Sequence, residues 1–315
     1  MDSKTSLDSD GISTKLLKKI IYEIGTPLTH IFNLSITTGI FPSRLKTARV
    51  VPIFKSGKHE STDNYRPISL LSSISKILEK AIALQLVNHL EGNNLLYNHQ
   101  YGFQKNKNTE HHLISAINYI HNALNNGDYC IGLFLDLKKA FDVCSHDILI
   151  TKLKYLGIKD TALSWFQSYL QGRTQFVDIN GKISSNKNLD ISVLQGSILG
   201  PILFLCYIND LWKTTDLFTL MFADDTSAFK SGKNLNDLIS HMNRELNKLA
   251  VWFRANKMAV NVEKTKFIIF RTHGKPIPNE NVTLKFDANE PGQLYNPDYV
   301  YDLERFHNNH QDKNK

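Results

Sequence analysis

Residues 220–229 read LMFADDTSAF, and the two adjacent carboxylates that interrupt this apolar stretch decide how the whole chain is read. Residues 217–222 and 226–229 have strand composition, with Ala223, Asp224 and Asp225 between them, so the segment is expected to fold as a tight hairpin with acids at its tip. Adjacent residues on a strand point to opposite faces, whereas at a turn both can bend to one side. Taken alone, an Asp pair at a turn is more often just a polar turn. Upstream, residues 129–136 (YCIGLFLD) form a short apolar run that reads as a buried strand ending in Asp136. A charged group seldom stands in such surroundings unless it is paired or bound to metal. If the hairpin lies beside that strand, three carboxylates converge, and hard oxygen ligands so arranged favour Mg²⁺.

Working outward, the rest of the chain is a mixture of helices and strands punctuated by Gly, Asn and Asp. Residues 49–54 (RVVPIF) read as a strand followed by a polar loop. Residues 74–90 have helical spacing, with Gly92 placed to cap the end. A second amphipathic helix is expected over 110–124, with Leu113, Ile117, Ile120 and Leu124 on its apolar face. Helices follow near 146–156 and 160–171, each stopped by a glycine. Residues 174–179 and 182–184 flank Asn180-Gly181, a pair that favours a type I′ hairpin turn. Residues 237–253 form a long amphipathic helix whose stripe of Leu238, Met242, Leu246, Leu249 and Phe253 suits a sheet. A last strand is expected over 265–270. Beyond about residue 275 the composition turns polar and rich in Asn, Asp and Pro, and a loop or poorly ordered extension is expected.

The chain has 315 residues and is 42% hydrophobic, enough for a sizeable core. A formal net charge of +7 suits a polyanionic partner without requiring one. Its three cysteines, Cys130, Cys144 and Cys206, show no metal-ligand spacing, so free thiols in a reducing compartment are the simplest reading. The polar N-terminus has no secretory h-region, and the longest apolar run, 198–208, is too short to span a bilayer. An intracellular protein, in the nucleus, the cytoplasm or both, with no membrane association is the expectation.

Seven blocks then occur in a fixed order: DGI at Asp10, VPIFKSG with NYRPISLL (51–57 and 64–71), HQYGF (99–103), FLDLKKAFD (134–142), LQGSILGPILF (194–204), FADD (222–225) and NVEKT (261–265). Together they resemble the motifs of non-LTR retrotransposon reverse transcriptases, the jockey-like group in particular. The resemblance implies an α+β right-hand polymerase with fingers and palm, an antiparallel palm sheet packed on helices. Fingers would come mainly from 1–128, with part of 160–190 able to join them, and the palm from 129–274. It implies RNA template, DNA primer and dNTPs as partners, and two Mg²⁺ ions as cofactors, with Mn²⁺ able to substitute.

Matched motif by motif, Asp136, the Leu137 carbonyl, Asp224 and Asp225 correspond to the family's metal site. Lys264 corresponds to a palm lysine able to protonate pyrophosphate. Phe141 matches the bulky residue beneath the sugar, where a ring would exclude a 2′-hydroxyl. Gln195 and Gly196 match the segment that contacts nucleotide and template. Lys55 and Arg66 resemble basic fingers residues that grip the triphosphate. His99, Gln100, Tyr101 and Phe103 correspond to template contacts through stacking and backbone hydrogen bonds.

The family's primer-gripping hairpin with its Leu-Gly pair, its helical thumb and a preceding endonuclease are not recognised, so a fragment of an element protein without thumb is expected. Two rivals stay open: a catalytically silent nucleic-acid-binding derivative, and an RNA-dependent RNA polymerase. Against the latter, Ala223 stands where that class usually has Gly, and Phe141 would obstruct a ribose.

Overall fold

Helices and strands intermix along the chain in an α+β order, described in a computed structural model for residues 8, 10–276, 283–287, 291–295 and 300–302. In chain order the first elements are α1 (Thr14–Thr38), β1 (Thr47–Phe54), β2 (Tyr65–Leu70), α2 (Ser73–Gly92), α3 (Thr109–Asn125) and β3 (Tyr129–Leu135). Next come α4 (His146–Tyr155), α5 (Asp160–Leu170), β4 (Arg173–Ile179), β5 (Lys182–Ile183), β6 (Lys187–Leu189) and α6 (Leu199–Ile208). The remainder is β7 (Phe218–Phe222), β8 (Asp225–Gly232), α7 (Leu235–Ala255), β9 (Lys266–Arg271), β10 (Thr283–Asp287), β11 (Pro291–Tyr295) and β12 (Val300–Asp302). No helix among the described residues is long and apolar enough to cross a membrane.

The chain divides into two compact units, Met1–Leu96 with Phe141–Tyr207, and Tyr97–Ala140 with Ile208–Lys315. In the first unit a sheet runs in the order β2-β1-β4-β5, with β6 also on β4. β1 pairs antiparallel with β2 and parallel with β4. Pro52 and Pro67 face one another in this ladder, beyond the stretch where β1 also pairs with β4, so neither breaks a central ladder. Asn180 (φ 52°) and Gly181 (φ 85°) make the left-handed turn between β4 and β5 that the Asn-Gly pair predicts. Gly157 and Gly172, both with positive φ, terminate α4 and α5 as expected.

Under this unit Phe41, Trp165 and Tyr169 pack edge-on and stacked. The buried Arg173 guanidinium lies over the Tyr169 and Phe41 rings at 4.1 and 5.2 Å. Two buried carboxylates act as helix caps. Asp8 accepts the Ser73 N–H at the start of α2 from 65 residues away, and Glu79 accepts from Ile198 and Leu199 at the start of α6. Burial pushes the Glu79 carboxyl above its ordinary range, against the pull of Arg173 and these N–H donors.

The second unit is built on a sheet of order β12-β9-β3-β8-β7. Its central strand β3 pairs antiparallel with both β8 and β9. Lying between two partners, it is apolar along its whole length, with Cys130, Ile131 and Leu133 fully buried. Gly132 is needed there because a Cβ would stand 2.8 Å from the Phe229 ring. α3 covers the face formed by Cys130, Leu220 and Phe229. The predicted stripe of α7 is buried as expected, and this helix lies against β8 and β10.

Three expectations are corrected. Gly92 belongs to α2, and the left-handed residue past its end is Asn94. Asparagine tolerates that conformation because its short polar side chain bonds locally. On α3, Leu113 and Ile117 are exposed at 58% and 52%, while Ala116, Tyr119, Ile120, Ala123 and Leu124 face the sheet. Small and aromatic residues fit against the Phe218 and Phe229 rings, a preference that periodicity cannot show. Finally, much of the stretch beyond 275 expected as loop or poorly ordered lies outside the described residues, and within those described β10 and β11 form an antiparallel pair and β12 pairs parallel with β9. The open edge of β9 supplies the backbone donors and acceptors that a strand of polar composition can use.

All three cysteines are buried and free, and burial pushes each thiol up to about 12. At pH 8 the folded chain should react with a thiol reagent roughly a thousand-fold more slowly than the denatured chain, because so little thiolate is present. Labelling followed by intact mass measures this; rapid labelling of the native chain would contradict the buried assignment.

Candidate active site

Backbone register puts two of the predicted acids, Asp136 and Asp225, at the same end of adjacent strands. In the β3–β8 ladder Leu135 pairs with Thr226. Asp136 is the residue after Leu135 and Asp225 the residue before Thr226, so the two stand at the same end of adjacent strands. Opposed residues of an antiparallel pair are separated by about 4.5–5.5 Å between Cα atoms. Phe222 pairs with Asp225, which leaves Ala223 and Asp224 as a two-residue hairpin loop. Asp136 and Asp224 are half-buried and Asp225 is exposed. Among the described residues, no side-chain hydrogen bond or ion pair engages the Asp136 or Asp225 carboxylate. Unneutralised carboxylate oxygens on neighbouring strand ends are a donor set that fits divalent hard cations.

Each acid is held by its backbone. The Asp136 N–H donates to Thr265 Oγ1 at 3.2 Å, and its carbonyl accepts from the Asn261 N–H at 2.7 Å. Thr265 is buried. Leu137 bridges to Val260, and the Lys138 N–H donates to Ala259. The NVEKT segment is therefore a strut beneath Asp136, while Lys264 within it is exposed. Ala223 takes a left-handed φ of 54°, which costs a residue with a Cβ about 1–2 kcal/mol that glycine avoids.

The HQYGF block lies against this turn. Residues 99–101 bridge to Met221 of β7, with Met221 N–H donating to His99 and Tyr101 N–H to Met221. Gln100 and Tyr101 are buried, at 3% and 7% exposure, whereas Phe103 is exposed. The Gln100 carboxamide oxygen accepts from Gly102 N–H at 2.8 Å and Ala223 N–H at 3.0 Å. The Tyr101 hydroxyl is 2.8 Å from Ser115 Oγ and 3.2 Å from His99 Nδ1.

The first unit carries the other predicted residues. Ile53 pairs with Arg66, and the Lys55 N–H donates to the Asn64 carbonyl. Extended by that bond, the β1–β2 ribbon places Lys55 and Arg66 on one face as diagonal neighbours; both are exposed. The Gln195 carbonyl accepts from Ser69 N–H at 2.8 Å. Gly196 has φ 115°, and a Cβ there would sit 2.3 Å from the Ser69 oxygen. Only glycine permits this approach between loop and β2. Phe141 is stacked on Phe204 at 4.4 Å and 18°.

Among the described residues, the cluster whose ligand atoms all lie within 4.8 Å of one another is a different one, Asp216, His241 and Glu245. Lys248 already neutralises it, at 2.8 Å from Glu245 and 3.7 Å from Asp216, and Glu245 also accepts from Thr215 and the Asp216 N–H. It is an ion-pair knot in its own right. The sequence reading missed the supporting roles of Thr265, Asn261 and Gln100. Their advance signal was membership of the HQYGF and NVEKT blocks, which marks these positions without telling support from contact.

A protein-family model described as reverse transcriptase (RNA-dependent DNA polymerase) matches residues 53–293. The chain is 31% identical over 277 residues to the probable RNA-directed DNA polymerase from transposon BS of Drosophila melanogaster, covering 83% of this chain and 30% of that protein. It is 32% identical over 252 residues to the RNA-directed DNA polymerase from mobile element jockey of the same species, covering 77% and 27%. The chain thus spans under a third of the length of these curated relatives. Among solved structures, an apo telomerase from Candida tropicalis truncated from its C-terminal domain aligns with a TM-score of 0.53 at 14% identity, over 84% of this chain and 58% of that one. That likeness is one of fold.

Thr265→Val keeps the shape but leaves the Asp136 N–H without its acceptor. It should lower stability by about 1–2 kcal/mol, read as a drop of several degrees in thermal midpoint. An unchanged midpoint would mean that the Thr265 hydroxyl does not hold the strand end.

Proposed function

The chain belongs to the reverse transcriptase (RNA-dependent DNA polymerase) family, and we propose from that premise that it extends a DNA primer on an RNA template with dNTPs, as the polymerase of a non-LTR retrotransposon. The observation that carries this reading is the register placing Asp136 beside Asp225, one residue from Asp224, with the Asp136 and Asp225 carboxylates unneutralised.

Asp136, Asp224 and Asp225, with the Leu137 carbonyl, are the groups that would hold a pair of Mg²⁺ ions. Bound there about 3.5–4 Å apart, such ions would activate a primer 3′-hydroxyl and offset charge on departing pyrophosphate. The sheet that bears the acids serves as palm, and the β1–β2 ribbon as fingers. Lys55 and Arg66, on one exposed face of that ribbon, bind triphosphate oxygens, Arg66 through its bidentate fork. Gln195 and Gly196 contact nucleotide and template, their loop held by Ser69. The exposed Phe103 is the residue of its block able to stack on a template base. Lys264, exposed beside the strut, protonates the leaving group.

Phe141 excludes ribonucleotides. A ring excludes a hydroxyl only if it cannot swing aside, and the Phe204 stack holds it in one orientation.

On an RNA template with a DNA primer, Asp136→Asn, Asp224→Asn and Asp225→Asn should each lower the extension rate by roughly a hundred- to a thousand-fold or more, and a chelator should abolish extension until Mg²⁺ is restored. Nucleic-acid binding without extension by the unmodified chain, unaffected by Asp224→Asn, would favour the silent binding module. Phe141→Ala should reduce discrimination for dNTP over rNTP by roughly 10- to 100-fold, measured as the ratio of kcat/KM values. A preference for rNTPs by the unmodified chain would overturn the assignment.

A further inference from the structure

We propose that Gln100 is a positioning residue for the acid-bearing hairpin turn, acting through the N–H of Ala223. The proposal rests on the two-metal reading above, since it concerns how Asp224 and Asp225 are held for cations.

The turn has little to fix it from within. Its loop is two residues long, and the first, Ala223, is in the left-handed region that residues with a Cβ avoid. Relaxing Ala223 toward ordinary φ values would swing Asp224 and shift Asp225, and metal ions tolerate only small displacements of their ligands. The Ala223 N–H points away from the β7–β8 ladder and is met by the Gln100 carboxamide oxygen at 3.0 Å. Ala223 and Gln100 are both buried, so water does not substitute for that acceptor. Breaking the bond leaves a buried donor unsatisfied.

Gln100 is itself rigidly mounted. Its oxygen is oriented by a second donor, Gly102 N–H, at 2.8 Å. Its backbone carbonyl accepts from Gln104 Nε2 at 2.8 Å and Lys107 Nζ at 3.0 Å, and Lys107 also reaches the Asn98 carbonyl at 2.7 Å. The flanking residues bridge to Met221, two positions before the turn. Gly102 lies so close that a Cβ would stand 2.3 Å from the Ala223 nitrogen. Side chain and backbone of this block thus close around the turn from outside the sheet edge. A buried Gln100 has its oxygen engaged in this way and is a support for the acids, while the exposed Phe103 keeps the block's template role.

Gln100→Met keeps length and volume but has no acceptor oxygen. At saturating dNTP it should slow primer extension about ten-fold or more and raise the Mg²⁺ concentration for half-maximal rate several-fold, leaving the KM for dNTP unchanged. Adding Ala223→Gly, which adopts the left-handed φ freely, should recover part of the rate. A merely structural role would lower stability without moving the Mg²⁺ requirement. An unaltered rate and Mg²⁺ requirement in Gln100→Met, or no recovery with Ala223→Gly, overturns the proposal.

A readout independent of activity is hydrogen exchange at the Ala223 amide of the unmodified 315-residue chain. Protection matching the β7–β8 ladder supports the bond, and exchange as fast as an exposed loop refutes it, whether or not Gln100→Met folds. Asp224→Asn serves as control: if it extends normally the two-metal reading fails, while the exchange result still decides the Gln100 contact.

Discussion

Two carboxylates at the ends of adjacent antiparallel strands repel one another, and the ladder between β3 and β8 is what keeps them there. Seven residue pairs, from Tyr129 with Gly232 to Leu135 with Thr226, fix that register. That repulsion is weakened by solvent where Asp225 is exposed. The ladder's bonds contribute about 1 kcal/mol each, and the buried apolar side chains of β3 add considerably more. Packing therefore wins, and the strand ends stay close together. A one-residue slip would turn Cys130 and Leu133 to the wrong faces, so the core that stabilises the sheet also aligns the acids.

Around that register the fold adds struts in place of further ligands. The 261–265 segment holds the Asp136 backbone from one side through Asn261 and Thr265. The 99–104 segment holds the turn from another through Gln100 and Gly102. In the other unit Gly196 lies against Ser69, and Glu79 anchors the first turn of α6 just after the same loop. Loops that must bind ligands carry few apolar contacts of their own, so buried polar side chains supply the rigidity. Most of the seven sequence blocks contain such a support as well as an exposed group.

Strand and helix boundaries were largely legible because binary patterning states them directly. The apolar run of β3, the Asn-Gly turn and the stripe of α7 each correspond to one energetic preference with no strong competitor. Where two preferences compete, the pattern misleads. The large aliphatics Leu113 and Ile117 face outward on α3 because the surface beneath is lined with aromatic rings and accepts Ala116, Tyr119 and Ala123. Gly92 continues a helix that Asn94 ends. β10, β11 and β12 lie in a segment of polar overall composition, where pairing is set by backbone partners and, in β10, by the buried Leu284, which the composition does not mark.

By itself the sequence marked the candidates for the chemistry, namely acids set in apolar strands, a ring at 141 and a glycine at 196, and the order of blocks that marks the reverse transcriptase family. Composition and spacing along one chain suffice for that, since they register what each local environment tolerates. Only the tertiary structure decided which of these residues are neighbours and which are supports. Asp136 and Asp225 are separated by 89 positions in the chain but share one strand end, and Gln100 acts on a turn 123 residues away. Those relations come from strand register and hydrogen-bond direction in three dimensions, which no pattern along the chain encodes.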